Sequence, residues 1–346
     1  MNATSDTSGS FPAHAPLLAS TRGIAGREAI ECVHFGSIAI VDAAGELLAA
    51  VGDPSGMNFS RSTLKPLQAL AFVQDGGLAR FGFGSQELAL MCSSHSGESV
   101  HVAIVQSMLE RIGAQARDLQ CGCHLPRYFA ATATTPPANL RISALHHNCS
   151  GKHAGFLAYC RLHGHRLDNY LDLEAPVQMR VRNTVQSFCP QRMLLPGTDG
   201  CSAPNFALPL KRLAHAYCRI ACDSDPGLRA LYFAMTRHPD LVSGSARMDL
   251  AIMRAGAGNW VSKIGADGLQ MIGVRPQCLG IAIRIAGADA SALHVTTVEV
   301  LHQIGLLEDP PGTPLGTYFR PTLRNTRELP TGRYQPLFRL PRLASA

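Results

Sequence analysis

Leu279, Ile281, Ile283 and Ile285 alternate with Gly280, Ala282 and Arg284, the period-two pattern of a strand with one apolar face. Two more runs of strand type precede it, over 259–264 and 269–274, joined by the Gly265–Gly268 and Arg275-Pro276-Gln277 turns. Near the other end of the chain, 36–42 and 46–51 read as a hairpin around Ala43-Ala44-Gly45. The middle changes period. Val100, Ile104, Val105, Met108 and Ile112 recur at helical spacing, as do Val177, Val181, Val185 and Phe188 behind Pro176. Further helices are predicted over 62–74, 85–91, about 153–162, 208–235 and 291–306, while 120–145, rich in Pro, Thr and Ala, reads as loop. The order is two strands, a long helical middle, three strands and a closing helix. Early and late strands then pair into one antiparallel sheet with helices packed on it, an α/β fold of the α+β type.

Composition supports a packed core: 46% of the 346 residues are hydrophobic and 16% charged. No run approaches the ~18 uncharged apolar residues of a membrane span, and the first residues lack the basic-then-apolar order of a signal peptide. Residues 1–21 are expected to form a loose tail, 22–308 a single domain and 309–346 a basic tail. From Arg320 onward the chain holds Arg320, Arg324, Arg327, Arg333, Arg339 and Arg342 against Glu328 alone, which accounts for +5 of the net +6. A basic arm can touch nucleic acid, but a solvated or dimer-clasping tail is the reading adopted here. Eleven cysteines, an odd number without a signal peptide, suit reduced thiols in a cytoplasmic protein.

Three polar clusters carry candidate chemistry. Ser62 and Lys65 stand three apart at a helix start, the spacing that stacks a hydroxyl beside an amine. A lysine with a lowered pKa can take a serine's proton and make it a nucleophile. Cys92-Ser93-Ser94-His95-Ser96-Gly97-Glu98 interrupts two helices and holds more polar side chains than capping needs. Lys263, in Ser262-Lys263-Ile264-Gly265, sits on a strand; a second lysine in the cleft would help keep Lys65 unprotonated, and a plain strand lysine is the other reading. The three follow one another as the S-x-x-K, S-D-N and K-T-G elements do in penicillin-binding proteins and class A β-lactamases, in layout and not in letters. Cys149, Lys152 and Cys201 lie in two separate turns whose thiols and nitrogen suit zinc; a pair of buried thiols fits the same spacing.

The motifs RSTLKPLQ from Arg61, CSSHSGE from Cys92, NCSGKHAG from Asn148, GTDGCSAPNFALPL from Gly197, TRHPDLVSGSARMD from Thr236 and SKIGADG from Ser262 together resemble the bacterial L-asparaginase II family of Rhizobium etli type, the class 3 asparaginases. The match runs from about Arg22 to Leu306. The resemblance implies a fold similar to serine β-lactamases and serine-dependent glutaminases, a homodimer, and hydrolysis of L-asparagine to L-aspartate and ammonia. It implies two serine–lysine pairs, Ser62 with Lys65 and Ser94 with Lys263. It implies zinc on Cys149, Lys152 and Cys201, assisting substrate binding, with His153 beside the metal turn and grouped with the substrate-binding residues. Arg61 and Asp199 match residues that hold the charged ends of the substrate. A zwitterionic amino acid needs a cation and an anion in one pocket, and these two supply those signs.

Of the two serines, Ser62 is the expected nucleophile, because its lysine is held by the same helix. A glutaminase or another serine acyl hydrolase on this scaffold is the first alternative, since one methylene in the substrate is worth only ~1–3 kcal/mol of discrimination. A non-catalytic zinc or nucleic-acid-binding protein using the basic tail is the second.

Overall fold

The computed structural model describes residues 12–24, 27–190 and 194–343. The chain opens with β1 (Ala15–Ile24), β2 (Arg27–Val41), β3 (Leu47–Val51) and β4 (Met57–Phe59). A 3-10 turn (Arg61–Leu64) leads into α1 (Lys65–Gln74), α2 (Gly77–Phe81), α3 (Ser85–Met91) and α4 (Ser99–Arg111). Then come α5 (Arg127–Thr132), α6 (Ser150–Leu162) and α7 (Pro176–Ser187). Strands β5 (Leu195–Thr198) and β6 (Pro204–Pro209) precede α8 (Leu210–Cys222), α9 (Pro226–Arg237), α10 (Pro239–Val242) and α11 (Met248–Ala255). Strands β7 (Trp260–Gly265), β8 (Leu269–Val274) and β9 (Leu279–Ile285), helix α12 (Ala290–Gln303) and strands β10 (Thr322–Arg324) and β11 (Pro330–Pro336) complete the fold.

The fold class is mixed α/β, with an antiparallel sheet joining both ends of the chain. The main sheet runs β10-β11-β1-β2-β9-β8-β7, with β3 also paired to β2. Its period-two alternation sorts side chains to two cores. Ile38, Ile40, Ile281, Ile283 and Ile285 pack with Val295, Val298 and Leu301 of α12. Ala39, Val41 and Ala282 face the opposite way, toward α8 and the helical middle. That second contact is close because β8 and β9 offer glycines there: a Cβ on Gly280 would collide with the Ala214 carbonyl, and one on Gly273 with the Tyr217 carbonyl. Tyr217, fully buried, then reaches across to donate to the Thr63 carbonyl at 2.7 Å, tying α8 to the turn before α1.

Two tail expectations need correction. Residues 1–11 of the expected N-terminal tail lie outside the described residues, but from Ala15 onward that segment is strand β1, with Leu17, Leu18 and Ala19 fully buried. The basic C-terminal segment is not loose either: Leu18, Ala19 and Ser20 pair with Pro336, Gln335 and Tyr334 of β11. Backbone pairing from opposite ends of the chain, with few side-chain cues, accounts for both. The helical run predicted over 208–235 is two helices, because Asp225-Pro226 stops one and starts the next, the Asp225 carboxylate capping Leu228 N at 2.9 Å. Strands β4, β6 and β5 form a second small sheet that the hydrophobic pattern did not predict.

Candidate active site

The polar turn before α1 is held in an unusual backbone shape. Arg61 has φ of 50°, in the left-handed region that a branched or long side chain rarely adopts. Asn205 of β6 clamps it from both sides, its Oδ1 accepting Arg61 N–H at 2.9 Å and its Nδ2 donating to the Arg61 carbonyl at 3.1 Å. The chain then enters α1 with Pro66 in the first turn, where its missing N–H costs nothing.

Lys65 is fully buried at this helix start. Its Nζ donates to the Ser93 carbonyl and, at 3.3 Å, to the Asn148 carbonyl, and lies 3.0 Å from Ser94 Oγ. Carbonyls only accept. Lys65 therefore gives N–H groups to both carbonyls, and the remaining position on its Nζ faces the Ser94 hydroxyl. Ser94 comes from the break between α3 and α4. Ser94 N donates to the Val242 carbonyl, Ser96 Oγ to the Ser243 carbonyl, and Glu98 binds Ser245 N and Oγ at 2.8 and 3.0 Å. That accounts for the excess of polar residues in the loop: they fasten it to the α10–α11 connection.

The expected pairing of serines with lysines is thus redistributed. Lys65 bonds to Ser94, and among the described residues no hydrogen bond joins it to Ser62, which is half-buried beside Arg61. Lys263, expected with Ser94, instead donates to the Ile264 carbonyl at 2.8 Å and lies 3.5 Å from Asp249 Oδ2. Burial drives the Lys263 pKa down to about 8; Asp249 opposes the fall, and the charges of Lys65 and Arg247 add to it. A strand lysine points to either face, and sequence spacing alone does not select between Ser94 and Asp249.

Arg61 and Asp199, expected to hold the two charged ends of a substrate, stand as partners of each other, 2.7 Å apart. Arg61 also pairs with Asp267. Burial raises the Asp199 pKa, but the Lys152 charge and the Arg61 hydrogen bond outweigh it and hold the carboxyl below its ordinary value. A cavity of about 700 Å³ opens beside them, lined among others by Asn58, Arg61, Asp199, Asp267 and Arg284. It carries both signs of charge at its wall.

Cys149, Lys152 and Cys201 come together in one buried corner. Lys152 Nζ donates to Cys201 Sγ at 2.9 Å. A hydrogen bond with Cys201 is the largest influence on the Cys149 thiol; against the opposing effect of burial, it and the Lys65 and Lys152 charges hold the thiol well below its usual range. Burial works against the Lys152 ammonium, yet the Cys201 and Cys149 charges raise its pKa. Two sulfurs and one nitrogen are a donor set that fits zinc. Among the described residues no group of three His, Cys, Asp or Glu side chains is placed to hold a metal.

His153 does not line the cavity. It is fully buried, with Nδ1 2.7 Å from the Tyr170 hydroxyl and the ring close enough to Cys201 to feel its charge. Burial lowers its pKa to about 4. The Tyr170 oxygen already accepts Gln120 N–H at 2.8 Å, so its proton is free to go to His153 Nδ1, which leaves the N–H on Nε2, a buried atom without a hydrogen-bond partner among the described residues. The grouping with substrate-binding residues therefore gives way to a place behind the thiols.

Sequence reasoning missed Asp249, Asp267, Asn205 and the Ser93 and Asn148 carbonyls. Asn205, Asp249 and Asp267 all lie inside the motifs given above, but a single polar letter carries no signal of its partner, and a backbone carbonyl carries none at all.

A family model described as L-asparaginase II matches residues 23–336. No curated protein matches. Among solved structures, the chain is similar to a β-lactamase from Mycobacterium bovis at 15% identity, over 77% of this chain and 93% of that one, with a TM-score of 0.34.

Proposed function

Because the chain belongs to the L-asparaginase II family of amidohydrolases, we propose that it hydrolyses the side-chain amide of L-asparagine by acyl transfer to a serine, in the manner of the class 3 type. The observation that carries this reading is the Lys65 amine, fixed by two carbonyls with Ser94 Oγ at 3.0 Å. Such a base makes a hydroxyl nucleophilic and can hand the proton on to departing ammonia. Ser62, more exposed than Ser94 and next in sequence to the cavity-lining Arg61, is the hydroxyl that attacks. Its proton passes to Lys65 through Ser94. The Arg61–Asp199 pair presents adjacent opposite charges, which an amino acid's carboxylate and ammonium can replace pairwise.

Zinc, held by Cys149, Cys201 and Lys152, would supply a fixed positive charge that helps to bind and orient the substrate. Metal analysis of the purified protein should find zinc, and Cys201→Ser should lower its content; zinc-free preparations with full amidase activity would remove the metal from the reading.

A second reading has Ser94 as the nucleophile, favoured by its direct contact with the base. Ammonia release from asparagine and glutamine, measured on the native protein, Ser62→Ala and Ser94→Ala, tests both. Loss of a hydroxyl that forms the acyl-enzyme should reduce kcat by at least about a thousandfold, and loss of the relay by about 10²–10⁴-fold. The rates alone overlap. Mass spectrometry of the protein quenched during turnover decides, by showing the ester on Ser62 or on Ser94. No ammonia from either amide, or full rates in both variants, would refute the serine mechanism.

A further inference from the structure

Asp249 is a fully buried carboxylate in the first turn of α11, where the helix N-terminus favours negative charge. Four groups converge on it. Oδ1 accepts Ser262 Oγ at 2.8 Å and Gln270 Nε2 at 3.0 Å. Oδ2 accepts Ile264 N–H at 2.9 Å and lies 3.5 Å from Lys263 Nζ. Since β7 ends the sheet, the Ile264 N–H is one that no neighbouring strand would take. The three short bonds come from neutral donors and fix the carboxylate against the strand edge. The fourth partner is a cation with no exposed surface, which would otherwise be buried without a counter-charge.

We propose that Asp249 is a positioning residue of this site: it holds the Lys263 ammonium at the edge of β7, near Lys65, and acts on turnover only through that lysine. The inference rests on the reading of Lys263 as part of the amidohydrolase site. With the Ile264 carbonyl and Asp249 taking two of its three donors, Lys263 keeps one N–H for the reacting groups. The groups around it have definite signs. Lys65 at the start of α1 and Arg247 before α11 are the basic groups facing it. Cys92, at the end of α3, is pushed up to about 12 by burial and stays a neutral thiol. Tyr217 of α8 and His294 of α12 look toward Asp249, and burial keeps both uncharged at neutral pH. Asp249 is thus the anion that balances Lys263 among these groups.

The sign of its effect follows. Burial lowers the Lys263 pKa and the Asp249 charge opposes that fall. Replacing Asp249 by Asn removes the opposition while keeping the shape, so Lys263 gives up its proton at a lower pH. The test is ammonia release by the full-length enzyme, as a function of pH, for the native protein, Asp249→Asn, Lys263→Met and the double variant. Expected are a kcat at least about tenfold lower in Asp249→Asn with KM within about twofold, and the rate limb that Lys263→Met abolishes moved acidward by about one pH unit or more. The double variant should be no slower than Lys263→Met alone. Equal slowing by Asp249→Asn in the native and Lys263→Met backgrounds, or an unmoved limb, would overturn the role of Asp249 and leave the amidohydrolase reading standing. Native turnover in Lys263→Met would remove the lysine from the site and Asp249 with it. Should Asp249→Asn fail to fold, the comparison of Lys263→Met with the charge-neutral double variant carries the test, because both buried charges are then gone.

Discussion

Arg61 shows how one residue's backbone can be set by another's side chain. A left-handed conformation at a non-glycine costs about 1–3 kcal/mol and persists only where the surroundings impose it. Asn205 is what imposes it, bonded to both the N–H and the carbonyl of Arg61 and itself almost wholly buried. The result aims the guanidinium at Asp199 and Asp267. Asn205→Ala should therefore act twice. It leaves two main-chain polar groups without partners, a loss of about 1–3 kcal/mol, and it frees Arg61 to leave the charged wall of the cavity. The expected result is a lower melting temperature together with a several-fold higher KM for the amide substrate and a smaller change in kcat. A KM unchanged in a folded Asn205→Ala protein would mean that the position of Arg61 does not depend on the clamp.

Elements differ in how much of them a sequence can display. Strand β9 was legible because Leu279, Ile281, Ile283 and Ile285 bury one face against α12, and the alternation records that burial. Strand β1 was not: Leu17 through Thr21 are buried on both sides, so no alternation remains. Strand β11 carries proline at both ends and polar residues between, which read as loop; its place is set by main-chain pairing to β1, more than 300 residues away. The arginine surplus of the same segment has a structural use, since Arg320 pairs with the buried Glu299 at 2.8 Å, Arg333 with Glu28 at 3.2 Å and Arg342 with Glu308 at 2.5 Å. The site divides in the same way. Helical spacing places Lys65 one turn from Ser62, and the polar break holds Ser94, which Lys65 contacts. That Lys65 reaches into the break and not back along its own helix depends on the Ser93 and Asn148 carbonyls, which no residue type encodes. Asp249 stands 14 residues before Lys263, and only the folding of α11 against β7 makes them neighbours.

For the molecule as a whole, the histidines behind the site make stability depend on pH. His95 Nδ1 accepts Gly97 N–H at 3.0 Å, and its Nε2 lies 2.9 Å from Ser150 Oγ, which itself donates to the Leu145 carbonyl. His101 Nδ1 accepts Glu98 N–H, and its Nε2 faces the Asp240 carbonyl, each at 3.1 Å. Both rings are buried and stack with centroids 4.9 Å apart. In each, Nε2 is the donor, so the added proton of an imidazolium would have to sit on an Nδ1 that already faces an N–H. Burial lowers both pKa values from the ordinary 6.5, that of His95 well below it. Above 6.5 the rings are neutral folded or unfolded, and their contribution is complete. Below it the unfolded chain takes protons that the folded one refuses, and stability falls until the folded pKa values are reached, by about 1.4 kcal/mol for each unit of separation. Asp199 and Asp249 do not reverse this, since their pKa values lie below the ordinary 3.8 and their contributions are lost only in stronger acid. Urea unfolding at about pH 7.5 and about pH 5 should thus give a clearly lower midpoint at the acid condition with little change in slope. His101→Gln, which removes one titrating ring from the stacked pair, should narrow that difference. Equal midpoints in the native protein would show that the α3–α4 loop opens to let its histidines take protons, and the buried geometry behind Ser94 would not survive mild acid.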